Sequence, residues 1–213
     1  MRLLTLAWIG AALAAAQTVD QLDSHGVKAD AVTYRGKSAV HLTAGSVAAN
    51  VEPFALVKGS SFGDGTIEAD IAGAPGPGAG EGARGFVGIV FRATADGGKY
   101  ELFYLRPTNG RAPDQLRRNH STQYVSFPDW PWQRTRQETP GLYESYVDLE
   151  TGVWTHVKIV VAGTKAQLYV NNAEQPCLIV NDLKMGATKG AVGIWVGSGT
   201  DGHFANLKVT PAK

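Results

Sequence analysis

Val157-Lys158-Ile159-Val160-Val161-Ala162-Gly163-Thr164-Lys165-Ala166-Gln167-Leu168-Tyr169-Val170 is the stretch that decides the fold class. Val157, Ile159 and Val161 hold one parity, and after Gly163-Thr164 the apolar parity resumes at Ala166, Leu168 and Val170, interleaved with Lys165, Gln167 and Tyr169. Two runs of period two around a two-residue turn predict an antiparallel hairpin with one buried face. Working outward, similar runs occur at 66–71, 86–92, 100–106, 143–147, 192–196 and 204–209, bounded by Gly, Asn, Asp and Pro. Many short strands with glycine-rich turns and few helices predict an all-β chain built as two packed antiparallel sheets.

The ends and the composition bound the rest. Met1-Arg2, an apolar run over 3–13 and Ala14-Ala15-Ala16 before Gln17 match a secretory signal over 1–16. The expectation is a secreted or periplasmic protein whose residues 17–213 form one domain, with no later run long enough to span a bilayer. Twenty Lys and Arg against nineteen Asp and Glu leave a formal charge of +1, which argues against a nucleic-acid partner. Cys177, the one cysteine, excludes an internal disulfide and lies in the apolar run 177–180, where a buried inert thiol is expected.

Three strings carry no chemistry in this context. Gly80-Glu81-Gly82-Ala83-Arg84-Gly85 matches a dinucleotide-binding glycine pattern but leads into a strand, not a helix N-terminus. Gly59-Ser60-Ser61-Phe62-Gly63 matches the nucleophile-elbow string but is also followed by a strand. Asn119-His120-Ser121 is a formal glycosylation sequon. Two segments interrupt the alternation: 72–85, with six glycines and two prolines, reads as a mobile surface loop. The other, 106–136, has four prolines, six arginines and Tyr124, Phe127, Trp130 and Trp132, and is the functional candidate.

Taken in order, Gly65-Thr66-Ile67-Glu68-Ala69-Asp70-Ile71, Gly88-Ile89-Val90-Phe91-Arg92, Tyr100-Glu101-Leu102, Trp154-Thr155-His156-Val157-Lys158-Ile159, Leu168-Tyr169-Val170-Asn171, Gly193-Ile194-Trp195 and Phe204-Ala205-Asn206-Leu207 resemble the concanavalin A-like lectin/glucanase superfamily. The spacing is similar to its laminin-G-like and keto-disaccharide-hydrolase-like branches. The resemblance implies a two-sheet antiparallel jelly-roll sandwich with a concave face that often binds glycans, and in some members a structural calcium ion, for which Asp64 and Asp201 are the loop carboxylates. It does not fix an activity, because the fold hosts lectins, hydrolases and adhesion modules. Two departures matter: Gly73 stands where laminarinase-like relatives carry a third acid after Glu68 and Asp70, and Ala205 replaces the acid of a Phe-Asp-Asn closing strand.

Sugar recognition needs flat apolar faces and fixed donors and acceptors. Tyr104, Arg106, Arg117, Arg118, Asn119, His120, Gln123, Tyr124, Trp130 and Trp132 supply that palette. Arg92 and Glu101 join it if the hairpin pairs residue 92 with 99 or 101, which puts both on one face. The alternatives for these groups are a structural ion pair and a loop whose indoles fold back onto the sandwich. The arginine excess favours an acidic glycan, against a solvated loop paired with its own acids. The leading expectation is an exported module that binds an oligosaccharide or polysaccharide. A glycoside hydrolase using two of Glu101, Asp114 and Glu144 is the alternative, and a structural or protein-binding module is the third.

Overall fold

The computed structural model describes residues 18–44 and 53–212; the expected leader over 1–16 lies outside them. The hairpin read from 157–170 is present: β10 (Thr155–Ala162) and β11 (Lys165–Val170) pair with Val157 opposite Val170, Ile159 opposite Leu168 and Ala162 opposite Lys165. Gly163 takes the turn at φ 58, a left-handed conformation that glycine adopts without strain. Along both strands the apolar parity is buried and the other is partly exposed.

Around this hairpin one seven-stranded antiparallel sheet, sheet II, is completed by β12 (Leu178–Val180), β5 (Gly65–Pro75), β14 (Thr200–Pro211), β3 (Lys37–Ala44) and β2 (Val27–Tyr34), in the order β12-β11-β10-β5-β14-β3-β2. Sheet I runs β1-β4-β13-β6-β7-β8-β9, from β1 (Leu22–His25), β4 (Phe54–Val57) and β13 (Ala191–Val196) through β6 (Val87–Ala93), β7 (Tyr100–Leu105) and β8 (Thr122–Phe127) to the two-residue β9 (Glu144–Ser145). Runs of sequential hairpins (β6-β7-β8-β9, β10-β11-β12 and β2-β3) are joined by long crossovers that bring β13 beside β4 and β6 and β14 between β5 and β3, as expected of a jelly roll. The core between the sheets joins Ile67, Ile71, Ile159, Leu168 and Phe204 of sheet II to Ile89, Phe91, Phe103, Tyr124 and Ile194 of sheet I. No described helix is long and apolar enough to cross a membrane.

Two expectations about local structure change. The 72–85 segment is not loop throughout: β5 continues to Pro75, and a Cβ on Gly73 would stand 2.1 Å from the Gly85 carbonyl, so the absent side chain lets the returning chain lie on the strand. The 106–136 segment is folded as β8 together with three short helices, α1 (Pro107–Gly110), α2 (Gln115–Asn119) and α3 (Trp132–Glu138). Asp114 caps α2 by accepting from the Arg117 backbone N–H.

Candidate functional site

The site grows from one row of residues across sheet I. The registers place Trp195 of β13, Gly88 of β6, Tyr104 of β7, Gln123 of β8 and Glu144 of β9 side by side. Because side chains alternate, this row faces away from sheet II. Gly88 is the gap in it. A Cβ there would stand 2.5 Å from the Phe103 carbonyl oxygen and 2.7 Å from Tyr104 Cβ. Without one, the Tyr104 and Trp195 rings meet with centroids 5.1 Å apart, and Phe86 sits edge-on to Tyr104 at 6.1 Å. Val90, Leu102 and Val125 extend the apolar surface in the neighbouring row.

Over this floor lies an open groove of about 1010 Å³. One wall is the glycine-rich segment 78–84 with residues 197–199. The other is built from Asn109 of α1, Asp114, Leu116 and Arg117 at α2, then His120, with Trp132 and Arg136 of α3. Trp132 is 40 % exposed, which leaves its indole available to a ligand.

The polar end of the floor is a buried ion cluster. Arg106 follows Tyr104 by two residues and so shares its face; its Nη2 donates to Tyr104 Oη at 2.8 Å and Gln123 Oε1 at 2.9 Å. Its Nη1 donates to the His120 carbonyl and to Glu144 Oε1, each at 3.0 Å. Arg136 donates from Nε to Glu144 Oε2 at 3.0 Å and also from Nη2 to Oε1, and His120 Nδ1 lies 3.0 Å from Oε2. Burial alone would raise the Glu144 carboxyl. The Arg136 hydrogen bond and the charges of Arg106, Arg136 and His120 outweigh it and hold the group below the usual carboxylate range. His120 is pushed the other way, below its ordinary value, by burial first and then by Arg136 and Arg106, against the pull of Glu144. Beside the cluster, Asn109 donates to the His120 carbonyl at 3.0 Å and accepts from Arg117 Nε at 2.9 Å.

Of the residues named from sequence, Tyr104, Arg106, Asp114, Arg117, His120 and Trp132 line the groove, and Gln123 lies beneath it as the partner of Arg106. Others lie elsewhere. Phe91, not Arg92, pairs with Glu101, so Glu101 points with Phe91 and Phe103 into the space between the sheets. There it accepts from Tyr124 Oη and from the Met185 N–H at 2.8 Å. Burial raises its carboxyl above the usual range despite those bonds and the Arg92 charge. Arg92 takes φ 54 and turns inward, where it donates to the carbonyls of Gly63, Gly163 and Gly186 and to Asp64. Both residues of that expected pair are therefore away from the groove, with Tyr124, because the register and a left-handed residue in β6 override simple alternation. Trp130 carries Arg134 and Lys184 over its ring at 3.8 and 4.2 Å; Arg118 stacks on Tyr146; Asn119 accepts from Gln115 on the exposed side of α2. Reading along the chain missed Phe86, Asn109, Arg136 and Trp195. The first three fall outside one compact cluster, and Trp195 reads as core because its strand is otherwise apolar.

The carboxylates expected for calcium do not converge. Asp64 precedes β5 and is held by Arg92 and the Gly163 N–H, while Asp201 lies at the opposite end of the β5–β14 ladder. Asp201 stands with His41 and His203, whose ligand atoms and its own lie within 4.8 Å of one another. Two imidazoles and one carboxylate do not fit calcium, which takes six to eight oxygens; that donor set suits a transition metal. Cys177 donates to the Leu168 carbonyl, and burial pushes its thiol up to about 12, as expected of an inert side chain.

No family model matches the chain, and no curated protein sequence matches it. Among solved structures it is similar to the carbohydrate-binding module CBM66 from Bacillus subtilis (TM-score 0.54, 15 % identity, 87 % of this chain and 95 % of that one). It is also similar to a Bacillus subtilis protein with a galectin-like fold (0.57, 13 %, 90 % and 89 %) and to the carbohydrate recognition domain of Emp46p in its potassium-bound form (0.51, 11 %, 90 % and 88 %). At such identities the likeness is one of fold: the chain is a jelly-roll sandwich of the concanavalin A-like type.

Proposed function

We propose that this protein is an exported carbohydrate-binding module that holds an oligosaccharide or a polysaccharide segment in the groove over sheet I. One observation carries the reading: an aromatic floor of Phe86, Tyr104 and Trp195 runs beside an ordered row of donors, Arg106, Asn109, Arg117 and His120. Flat apolar faces receive the C–H side of a pyranose, and donors fixed by buried partners meet its hydroxyls without loss of side-chain freedom. The groove has the volume of a small-molecule site and is open along the sheet. The carbohydrate-binding and lectin neighbours in fold support a saccharide partner. Binding is favoured over two-carboxylate hydrolysis because, among the described residues, Asp114 is the one carboxylate in the lining and already caps α2, while Glu144 is buried under Arg106, Arg136 and His120 at the end of the floor and Glu101 lies between the sheets.

Calorimetry against a panel of neutral and acidic oligosaccharides, with reducing-end release measured on the same samples, tests the reading. The expected result is binding to at least one class without release. Trp132→Ala, at an exposed indole, should weaken that binding several-fold, an aromatic contact being worth about 0.5–1.5 kcal/mol, with the melting temperature unchanged. Absence of binding across the panel, or affinity indifferent to Trp132→Ala, would overturn it.

A further inference from the structure

The charge of this chain is nearly balanced overall but not in the groove. Arg84, Arg106, Arg117 and Arg136 line it, against Asp114 in the lining and Glu144 buried at the end of the floor. Glu144 is fully engaged by Arg106, Arg136 and His120, and it neutralises that end of the site. Arg84 and Arg117 are different: among the described residues neither forms a salt bridge with a carboxylate. Arg117 is held by neutral oxygens, Asn109 Oδ1 at 2.9 Å and Thr108 Oγ1 at 3.1 Å, and Arg84 donates to the carbonyls of Glu81 and Ala83. The two belong to opposite walls that touch at Thr108, whose N–H donates to the Arg84 carbonyl at 3.3 Å.

Arg84, Arg106 and Arg117 are thus gathered at one end of the groove with positive charge in excess. Partial burial, then repulsion from Arg117 and Arg106, holds the Arg84 guanidinium below its ordinary value, the direction that an unsatisfied like-charge cluster gives. Holding like charges together in a folded protein is unfavourable, and an anion seated among them removes the repulsion. Guanidinium forks match the paired oxygens of carboxylates and the oxygens of sulfate esters.

We infer that the groove selects an acidic saccharide, with the carboxylate of a uronate or the sulfate of a sulfated sugar held between Arg84 and Arg117, beside the already paired Arg106, and the ring resting on the Tyr104–Trp195 floor. The inference rests on the carbohydrate-binding reading and adds the class of sugar to it.

The test compares ligands that share a backbone and differ in charge. Oligogalacturonate is titrated against its methyl ester, and a sulfated oligosaccharide against its desulfated form, by calorimetry in 50 and 500 mM NaCl. The free acid or the sulfated sugar should bind at least tenfold more tightly than its neutral counterpart in low salt, and the advantage should shrink in high salt, where the charges are screened. Whichever pair shows the preference identifies the anion. Arg84→Gln with Arg117→Gln should abolish the preference, so that in the double variant the charged ligand binds no more tightly than its neutral counterpart. Arg117→Lys should keep part of it, and Arg35→Gln, on the exposed β2–β3 turn, should change nothing. Equal affinity for charged and neutral forms would overturn the acidic preference and leave carbohydrate binding standing. A preference untouched by the double variant would place the anion elsewhere and overturn the site. Absence of binding by every form would overturn both readings together.

Discussion

Glu144 occupies the least exchangeable position near the groove, its carboxylate shared among Arg106, Arg136 and His120 and almost wholly buried. Removing one member of a buried ion cluster leaves the others charged and unpaired, which costs about 3–5 kcal/mol. Glu144→Gln is therefore expected to lower stability by that amount in urea denaturation, whereas Arg136→Gln, at the exposed rim of the cluster, should cost less. Equal, small effects would show that Glu144 is solvated. The sequence named Glu144 as a candidate acid; what it could not show is that β9 carries it to the buried end of the floor, where Arg106 and Arg136, with His120 beside them, hold it ionised and keep it from acting as a proton donor. Arg106 and Tyr104 were legible because they sit two residues apart in an evident strand. Arg136 was not singled out, because its approach to Glu144 depends on how α3 packs across β8.

At the scale of elements, the β13–β6–β7 ladder makes the floor, and Gly88 is where its construction can be challenged. Gly88→Ala puts a methyl group against the Phe103 carbonyl and Tyr104 Cβ, so the strand or the ring has to shift. An expected loss of about 1–3 kcal/mol in stability, as for other overpacked sites, should come with weaker saccharide binding, since the displaced ring is part of the floor. Denaturant midpoints and calorimetric titration of the same variant check both; unchanged values in each would show that the strands yield freely at this point. The hairpin of β10 and β11 was readable residue by residue because alternation, a two-residue turn and a solvated outer face coincide there. β8 was hidden in the proline-rich segment for the opposite reason. Both of its faces are covered, one by sheet II and the other by α3 and the ion cluster, so five of its six residues are buried and no alternation survives. The Arg92–Glu101 register was off by one, since Phe91 pairs with Glu101; strand parity alone would then turn Arg92 outward, and its positive φ is what returns it to the inner side that Glu101 occupies.

For the whole molecule, acid stability follows from several buried groups acting together. His120 and His203 are held below their ordinary value of 6.5, burial being the largest cause in each. Their neutral forms fit the folded state, so their contribution is present above pH 6.5 and is lost as pH falls below it. Glu144 and Asp70 are held below the usual carboxylate range, Asp70 because hydrogen bonds from Lys37, Asn206 and His156 outweigh its burial, so their contribution is lost at lower pH still. Glu101, raised by burial, has the opposite sign and is most favourable at low pH. Melting temperatures measured from pH 8 to 3 should decline in two stages, first below about pH 6.5 and again below about pH 4. A flat curve between pH 6.5 and 4.5 would mean that the two imidazoles are free to take up protons in the folded state. The order of strands has a consequence in time. β14, the last strand described, lies in the middle of sheet II between β5 and β3, and β13 lies in the middle of sheet I. Each sheet is therefore complete only when a strand far along the chain, β13 or β14, has taken its interior place between strands formed from much earlier residues. Pairings between segments so far apart have to be closed before they reward the chain, so refolding is expected on the slow side of the range for single domains, in milliseconds to seconds.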